Sequence, residues 1–590
     1  MQTNSPHTDN VQSSEVNVNW QNAMNLVKYT HQSVLLTGKA GTGKSTFLKQ
    51  VCQETKKKYV VLAPTGIAAI NAEGSTLHSF FKLPFYPLLP DDPNLSLQRG
   101  RIHKFFKYSK PHRKLLEELE LVIIDEISMV RADMIDAVDR ILRVYSHNLR
   151  EPFGGKQLLL VGDAFQLEPV IKADERDIIN RFYPNPYFFS AHVFNQIELV
   201  AIELTHVYRQ SDPVFVGVLD HIRNNTATAH DLQLLNTRYN PPSSTSNPPS
   251  SMFITLATRR DQVDYINDKK LRELPGDPVT FKGTIHGDFP ENSLPTSLEL
   301  VLKPGAQIIF VKNDFDKRWV NGTIGTIMGF DPVEEVIYIV TDNGDEVDVK
   351  PESWRNIRYT YNEKKKEIEE EELGTFTQFP IRLAWAITVH KSQGLTFSKV
   401  VIDFTGGVFA GGQAYVALSR CTSLEGIQLT HPLSRSDIFV RAEITQFAKR
   451  FNNQQAVDKA LKEARADMEY IAASKAFDKG DFQQFLDAFF KAIHARYDIE
   501  KPLVQRLIRR KLSVINTLRN EVRQLKQEAQ EKEKALMKYA REYVQMGDEC
   551  LKHDMPEAAL RNYDKAVTLC PQYKEAWKKI KKTEKMMKNR

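Results

Sequence analysis

GKAGTGKS, Gly38 to Ser45, stands directly after the apolar run VLLT and just before the helical FLKQV. In that context G-x-x-x-x-G-K-S reads as a phosphate-binding loop joining a core strand to a helix. Its glycines let backbone N–H groups close around phosphate oxygens at a helix N-terminus. The candidate nucleotide-binding residues are therefore Gly38, Lys39, Ala40, Gly41, Thr42, Gly43, Lys44, Ser45 and Thr46. Lys44 is placed to reach the β- and γ-phosphates, and Ser45 offers a hydroxyl to Mg²⁺.

Outward from this loop, residues 20–204 alternate β-rich apolar runs with helical patterns, as parallel-sheet α/β units do. The expected strands are Ser33 to Thr37, Tyr59 to Ala63, Leu121 to Ile124, Gln157 to Val161 and Leu199 to Leu204. Leu83 to Arg113, rich in Pro, aromatic and basic residues, reads as an insertion. A second α/β pattern spans 205–440, broken by the linker-like PPSSTSNPPSS at Pro241 to Ser251. Inside it, short alternating strands from Gln307 to Val349 with a DNGD hairpin signal predict a small β-barrel insertion, taken to extend over 307–375. Residues 1–19 read as disordered, and 441–590 as an all-α tail.

Length and composition agree. At ~150 residues per domain, 590 residues make a multidomain chain. With 41% hydrophobic and 26% charged residues it has the balance of ordinary folded proteins, which disfavours wholesale disorder or a membrane body. The polar start lacks a secretory signal, so a cytoplasmic protein without membrane contact is expected. Cys52, Cys421, Cys550 and Cys570 are too few for a disulfide framework and lack metal-ligand spacing. The net charge of +6 permits a polyanionic partner without demonstrating one. Glu367 to Glu372 and the basic Lys578 to Arg590 read first as solvated surface.

LVIIDEIS delivers Asp125 and Glu126 to the end of a core strand. One carboxylate there can hold hydrated Mg²⁺ while its neighbour orients or deprotonates water, which points to hydrolysis. Several NTPase classes share this pair and loop. Further segments narrow the choice. APTGIAAINAEGSTLHSFF (Ala63 to Phe81), PFGGKQLLLVGDAFQLEPV (Pro152 to Val170), ELTHVYRQ (Glu203 to Gln210), ITVHKSQGLTF (Ile387 to Phe397) and GQAYVALSRCTSLEGI (Gly412 to Ile427) follow in order. With these seven ordered motifs the chain, from about Trp20 to Ile427, resembles the Pif-type DNA helicases, relatives of the RecD-like helicases of superfamily 1B.

The resemblance implies two RecA-like P-loop motor domains, with Leu83 to Arg113 as a duplex-splitting wedge and the barrel as a DNA clamp. It implies a monomeric motor using ATP and Mg²⁺, moving 5′-to-3′ on single-stranded DNA and unwinding duplex or structured DNA in repair, recombination or replication. Gln166 of GDAFQL would sense the γ-phosphate beside Asp163, and Arg209 and Arg420 would reach it from the second motor domain. With Lys44, Asp125 and Glu126 these form the catalytic set; Ser45 and Asp125 would hold the metal. Pro64, Thr65, Ala68, His78 and Ser79 match one pair of DNA-contacting motifs; Thr388, His390, Lys391, Ser392 and Gln393 match the motif opposite. Where relatives carry an adenine-reading glutamine this chain has Trp20, with Gln21 adjacent, and Glu168 stands where proline is frequent. Phe105, Phe106, Lys107 and Tyr108 suit either a wedge surface or packing against the motor.

In the tail, Ile508, Ile515, Val522 and Ala529 recur every seven residues with Leu518 and Leu525 between them, a pattern expected to pack within the chain. Residues 540–573 resemble one tetratricopeptide repeat, with Tyr543, Met546, Gly547, Ala559, Tyr563, Ala566 and Pro571 at its signature positions. That implies a protein partner for the tail. It also leaves a second reading open, an ATP-switched interaction scaffold, against which the intact catalytic set argues.

Overall fold

Parallel sheets form where strand sequences are apolar on both faces. The computed structural model describes residues 12–96, 101–240, 253–497, 500 and 502–588 and shows two such sheets. The first contains β1 (Val34–Gly38), β2 (Tyr59–Ala63), β3 (Ser75–Thr76), β4 (Leu121–Ile124), β5 (Gln157–Val161) and β6 (Val200–Leu204). Its order is β3-β2-β4-β5-β1-β6, and every pair is parallel. The VLL of β1 and LVII of β4 are wholly buried, so each strand end is fixed in depth and the loops that follow emerge along one edge. The second sheet is also parallel and joins Ala386–Thr388, Ile254–Ala257, Val400–Asp403 and Ile427–Leu429 in that order.

Contacts divide the chain into two units, the first ending at Ala495 and the second beginning at Arg496. Both sheets lie in the first. Residues 12–19, expected to be disordered, belong instead to helix α1 (Gln12–Tyr29), whose Ala23, Leu26 and Val27 join the core beneath β1 and β6. Residues 1–11 and the linker-like 241–252 lie outside the described residues.

The insertion within the second pattern is larger than 307–375. Antiparallel strands at Gln307–Phe310, Ile324–Asp331, Val336–Thr341, Glu346–Val349 and Ile381–Leu383 form one sheet. A long ribbon, Glu352–Asn362 with Glu367–Gln378, adds Thr284–Gly287. The glutamate run thus lies on a strand, where Arg358 pairs with Glu371 and Lys365 with Glu369. In the first insertion, Phe106 and Tyr108 are core residues. The Tyr108 hydroxyl donates to the Phe81 carbonyl, and Tyr145 donates to that of Phe106. Packing therefore decides those two positions. Phe85 and Tyr86 are the exposed aromatics.

The tail begins later than expected. Helix Gln454–Lys479 buries Val457, Ala460 and Ala464 against α1 and the first sheet, because small apolar residues three or four apart make a close-packing stripe. The second unit has its own small core, Ala540, Val544, Ala559, Tyr563, Ala566, Ala576 and Ile580, shared by helices Pro502–Lys552, Pro556–Leu569 and Lys574–Lys588. The heptad residues do not pack inside it: Leu518, Val522 and Leu525 are more than half exposed. Among the described residues no helix is long and apolar enough to cross a membrane.

Candidate functional site

The loop after β1 turns into α2 (Lys44–Glu54) through Gly43, whose left-handed φ of 86° opens the first turn of helix N–H groups toward the cleft. The cleft has a volume of about 600 Å³ and is lined by Trp20, residues 40–46, Asp125, Glu126, Gln166, Tyr208, Arg209, Gly394, Thr396 and Arg420. Six other segments thus meet around one loop. Lys44 Nζ donates to the Gly38 and Lys39 carbonyls at 2.7 and 2.9 Å. Ser45 and Thr46 are exposed on the first turn of α2.

At the end of β4, Asp125 Oδ1 accepts the Glu126 N–H at 2.9 Å, and Glu126 itself adopts a left-handed φ of 49°. Such a conformation is uncommon for a residue with a side chain and turns the carboxylate back into the cleft. Burial, and then the neighbouring Asp125, push the Glu126 carboxyl up to about 7. Burial likewise holds Lys44 below its ordinary range. It lowers Arg209 too, and Arg420 to about 9, Arg209 adding repulsion to the latter. Arg420 is nearly sealed from solvent and donates to main-chain carbonyls, Val416 among them at 3.0 Å; Arg209 donates to the Ser419 carbonyl. Three cations compensated mainly by dipoles make a site suited to a polyanion. The oxygen donors there, the Ser45 hydroxyl and the Asp125 carboxylate, fit a hard cation such as Mg²⁺, which is held by one or two carboxylates plus substrate phosphates.

The two sheets face each other across this cleft at very short range. A Cβ on Gly41 would lie 2.4 Å from Arg209 Cβ, and one on Gly412 would lie 2.3 Å from the Phe165 carbonyl and 2.4 Å from that of Gln166. Only glycine permits either approach. The Ala40 N–H donates to the buried Tyr415 hydroxyl at 3.0 Å, so its nearest partner is protein. Lys39 likewise turns to Asp220. Gln21 bonds Asn25 at an exposed position, while Trp20 lines the cleft.

The first group of expected DNA residues is gathered at a separate cavity of about 490 Å³. Pro64, Thr65, His78 and Ser79 line it together with Phe85 and with Phe289, Ser293 and Arg355 from the second half of the unit. Thr65 Oγ1 accepts the Ala68 N–H, capping helix Gly66–Asn71. The opposite motif is divided. Lys391 is exposed and His390 half-buried, but Thr388 is buried and accepts the Lys391 N–H, and Ser392 is sealed, donating to the Val389 carbonyl. Gln393 faces the nucleotide cleft: its Nε2 donates to Glu126 Oε2 at 2.7 Å. Ser392 and Gln393 are therefore not strand-facing, because the turn beginning at Thr388 rotates them inward. Two aromatics escaped the sequence reading: Phe85 stacks on His78 with centroids 4.9 Å apart, and Phe409 lies parallel to His390 at 6.5 Å. Tyr415, five residues before Arg420, could have been found from its motif; Asp220 and Arg223 carry no such signal.

A model of the PIF1-like helicase family matches residues 14–224. The ATP-dependent DNA helicase PIF1 of Emericella nidulans is 31% identical over 488 residues, covering 72% of this chain, which spans 61% of that protein's length. Pif1 of Bdellovibrio bacteriovorus is 32% identical over 431 residues, covering 71% of this chain and 89% of the relative. The structure of a Bacteroides Pif1 in complex with ADP-AlF4 shares 41% identity and a TM-score of 0.67 over 73% of this chain and 96% of its own; Bacteroides Pif1 bound to ssDNA shares 40% at 0.53 over 75% and 98%. With the motor so fully spanned at this identity, the chain belongs to the PIF1-like helicase family.

Proposed function

We propose that this chain is an ATP-dependent DNA helicase that translocates 5′-to-3′ on single-stranded DNA and unwinds duplex or structured DNA, acting in repair, recombination or replication. The observation that carries this reading is the Gln393–Glu126 hydrogen bond. The loop bearing His390 and Lys391 supplies, two residues later, a direct contact to the carboxylate of the ATP cleft, so a grip on a strand and the hydrolytic group share one short segment.

In this reading the Gly38–Thr46 loop and Lys44 bind the triphosphate, and Ser45 and Asp125 hold Mg²⁺, which when bound screens phosphate charge. Glu126 orients and deprotonates the attacking water. Gln166, Arg209 and Arg420 meet the charge that develops on the transferred phosphoryl group, Arg420 from the second sheet's side and Arg209 from the segment that leaves β6 and bonds the Ser419 carbonyl, so hydrolysis is tied to closure of the two halves. Pro64, Thr65, Ala68, His78, Ser79, His390 and Lys391 form the strand path, Thr388 capping the turn that presents the last two, with Phe85 and Phe409 as stacking surfaces. Main-chain and short polar groups of this kind grip sugar and phosphate without reading base edges.

The test is ATPase activity with and without oligo-dT, together with unwinding of duplexes carrying a 5′ or a 3′ single-stranded tail. Stimulation by DNA and unwinding from the 5′ tail alone are expected. An ATPase indifferent to DNA would overturn the translocase reading, and unwinding from the 3′ tail would reverse the polarity.

A further inference from the structure

Helix Pro213–Arg223 has Phe215, Val218, Leu219 and Ile222 in the core of the second sheet, with Ile254 and Leu256. That anchors one face of the helix firmly. From its opposite face, two charged residues one turn apart reach the first sheet's loops. Asp220 pairs with Lys39 of the phosphate-binding loop. Arg223, almost wholly buried, grips Asp163 with both ends of its fork, Nη2 to Oδ1 at 2.9 Å and Nε to Oδ2 at 3.1 Å. A third contact joins the same Nη2 to Glu203 at 2.9 Å, and the guanidinium lies 4.3 Å above the Phe165 ring.

Asp163 is the hinge of the loop that carries Gln166. Its Oδ1 accepts the Phe165 N–H at 3.2 Å and its carbonyl accepts the Gln166 N–H at 2.9 Å. Whatever holds this carboxylate also sets where Gln166 points. The helix therefore gives an acid to one loop and a base to the other, both of them loops of the first sheet that border the nucleotide cleft. A bidentate buried pair fixes geometry in a way a single point charge does not.

We propose that Asp220 and Arg223 are positioning residues for hydrolysis, a clasp of opposite charges through which one helix of the second sheet sets the phosphate-binding loop and the Gln166 loop in register. The clasp rests on the helicase reading above and adds to it the element that transmits closure. Neither residue touches the reacting atoms; each acts through a loop that does.

The test measures steady-state ATPase of the full chain under saturating oligo-dT, alongside oligo-dT affinity by fluorescence anisotropy and the melting temperature. Arg223→Gln is expected to lower kcat roughly ten- to a hundredfold with little change in KM for ATP, since a small misplacement of a catalytic group costs about that much. Arg223→Lys should recover part of the loss. Asp220→Ala breaks a partly exposed pair and leaves the fold intact, so a kcat about two- to fivefold lower with unchanged DNA affinity and melting temperature is expected. Wild-type kcat in Arg223→Gln and Asp220→Ala would overturn the clasp. So would a kcat loss in both that merely tracks lost DNA affinity and a lowered melting temperature. If Arg223→Gln does not fold, Asp220→Ala alone decides. A wild-type chain whose ATPase ignores DNA would instead overturn the reading on which the clasp rests.

Discussion

Gln393 Nε2 and Glu126 Oε2 lie 2.7 Å apart, although 267 positions separate the two residues in the chain. Gln166 Oε1 is 3.5 Å from the same amide, so one side chain bridges the carboxylate and the expected γ-phosphate sensor. A displacement of the Thr388–Gln393 turn by a bound strand would move the group that restrains Glu126. Replacing Gln393 with alanine should therefore cut the stimulation of ATPase by oligo-dT about tenfold, the cost of one charge-assisted hydrogen bond, and alter strand affinity far less. Equal stimulation factors in wild type and variant would refute the coupling.

The arginines should behave as fingers. Because Arg209 and Arg420 are buried against carbonyls with their charge disfavoured, a γ-phosphate is the natural counter-charge. Such a group is worth roughly 10³ to 10⁵ in rate, or about 4 to 7 kcal/mol of barrier. Arg209→Ala and Arg420→Ala should cripple turnover while ATP binding, followed with a fluorescent nucleotide, weakens much less. Lys44→Ala should abolish turnover, and Glu126→Gln should bind ATP without hydrolysing it. Near-normal turnover in either arginine variant removes that residue from the mechanism.

Histidine protonation gives a pH prediction. Burial lowers the pKa of His31, His78 and His390, and takes His112 down to about 4. Below pH 6.5 these histidines bind more protons in the unfolded chain than in the folded one, so the stability they contribute should be lost on acidification. His112 alone accounts for up to about 3 kcal/mol, read as the difference between wild type and His112→Gln, while the raised Glu126 carboxyl works in the opposite sense. His78 and His390 are neutral at pH 7, so single-strand affinity should be flat from pH 8 to 6.5. Chemical denaturation and anisotropy across pH 5 to 8 check both halves. A rise in affinity already at pH 6.5 that disappears in His78→Gln or His390→Gln would contradict the assignment.

The boundary at Ala495 predicts the outcome of truncation. A chain ending there should keep the ATPase and unwinding of the full protein. One ending at Phe451 loses the stripe of Val457, Ala460 and Ala464 from the first core. It should lose roughly 3 kcal/mol or more of stability, the usual cost of removing a valine and its apolar neighbours from burial. Thermal melts of the two truncations separate the cases; equal stability would show that the helix contributes nothing to the motor.

Gln166, Arg209 and Arg420 were legible only through resemblance to the family's motifs; by itself the sequence determined five of the first sheet's six strands, missing the two-residue β3, and the phosphate-binding loop with Lys44, Asp125 and Glu126 beside it. Those features are local: apolar runs buried on both faces, and glycines and carboxylates at fixed offsets from a strand end. Only the tertiary structure decided that Gln393 turns toward Glu126 rather than a strand, that Ser392 is sealed, and that Phe106 and Tyr108 are core. It alone brought Arg223, in a helix without any motif, onto Asp163, and showed helix Gln454–Lys479 packing with the motor while Leu518, Val522 and Leu525 stay exposed. Each of these depends on which face of an element meets another far along the chain. Periodicity says that a face is apolar or charged, and only packing says what it meets.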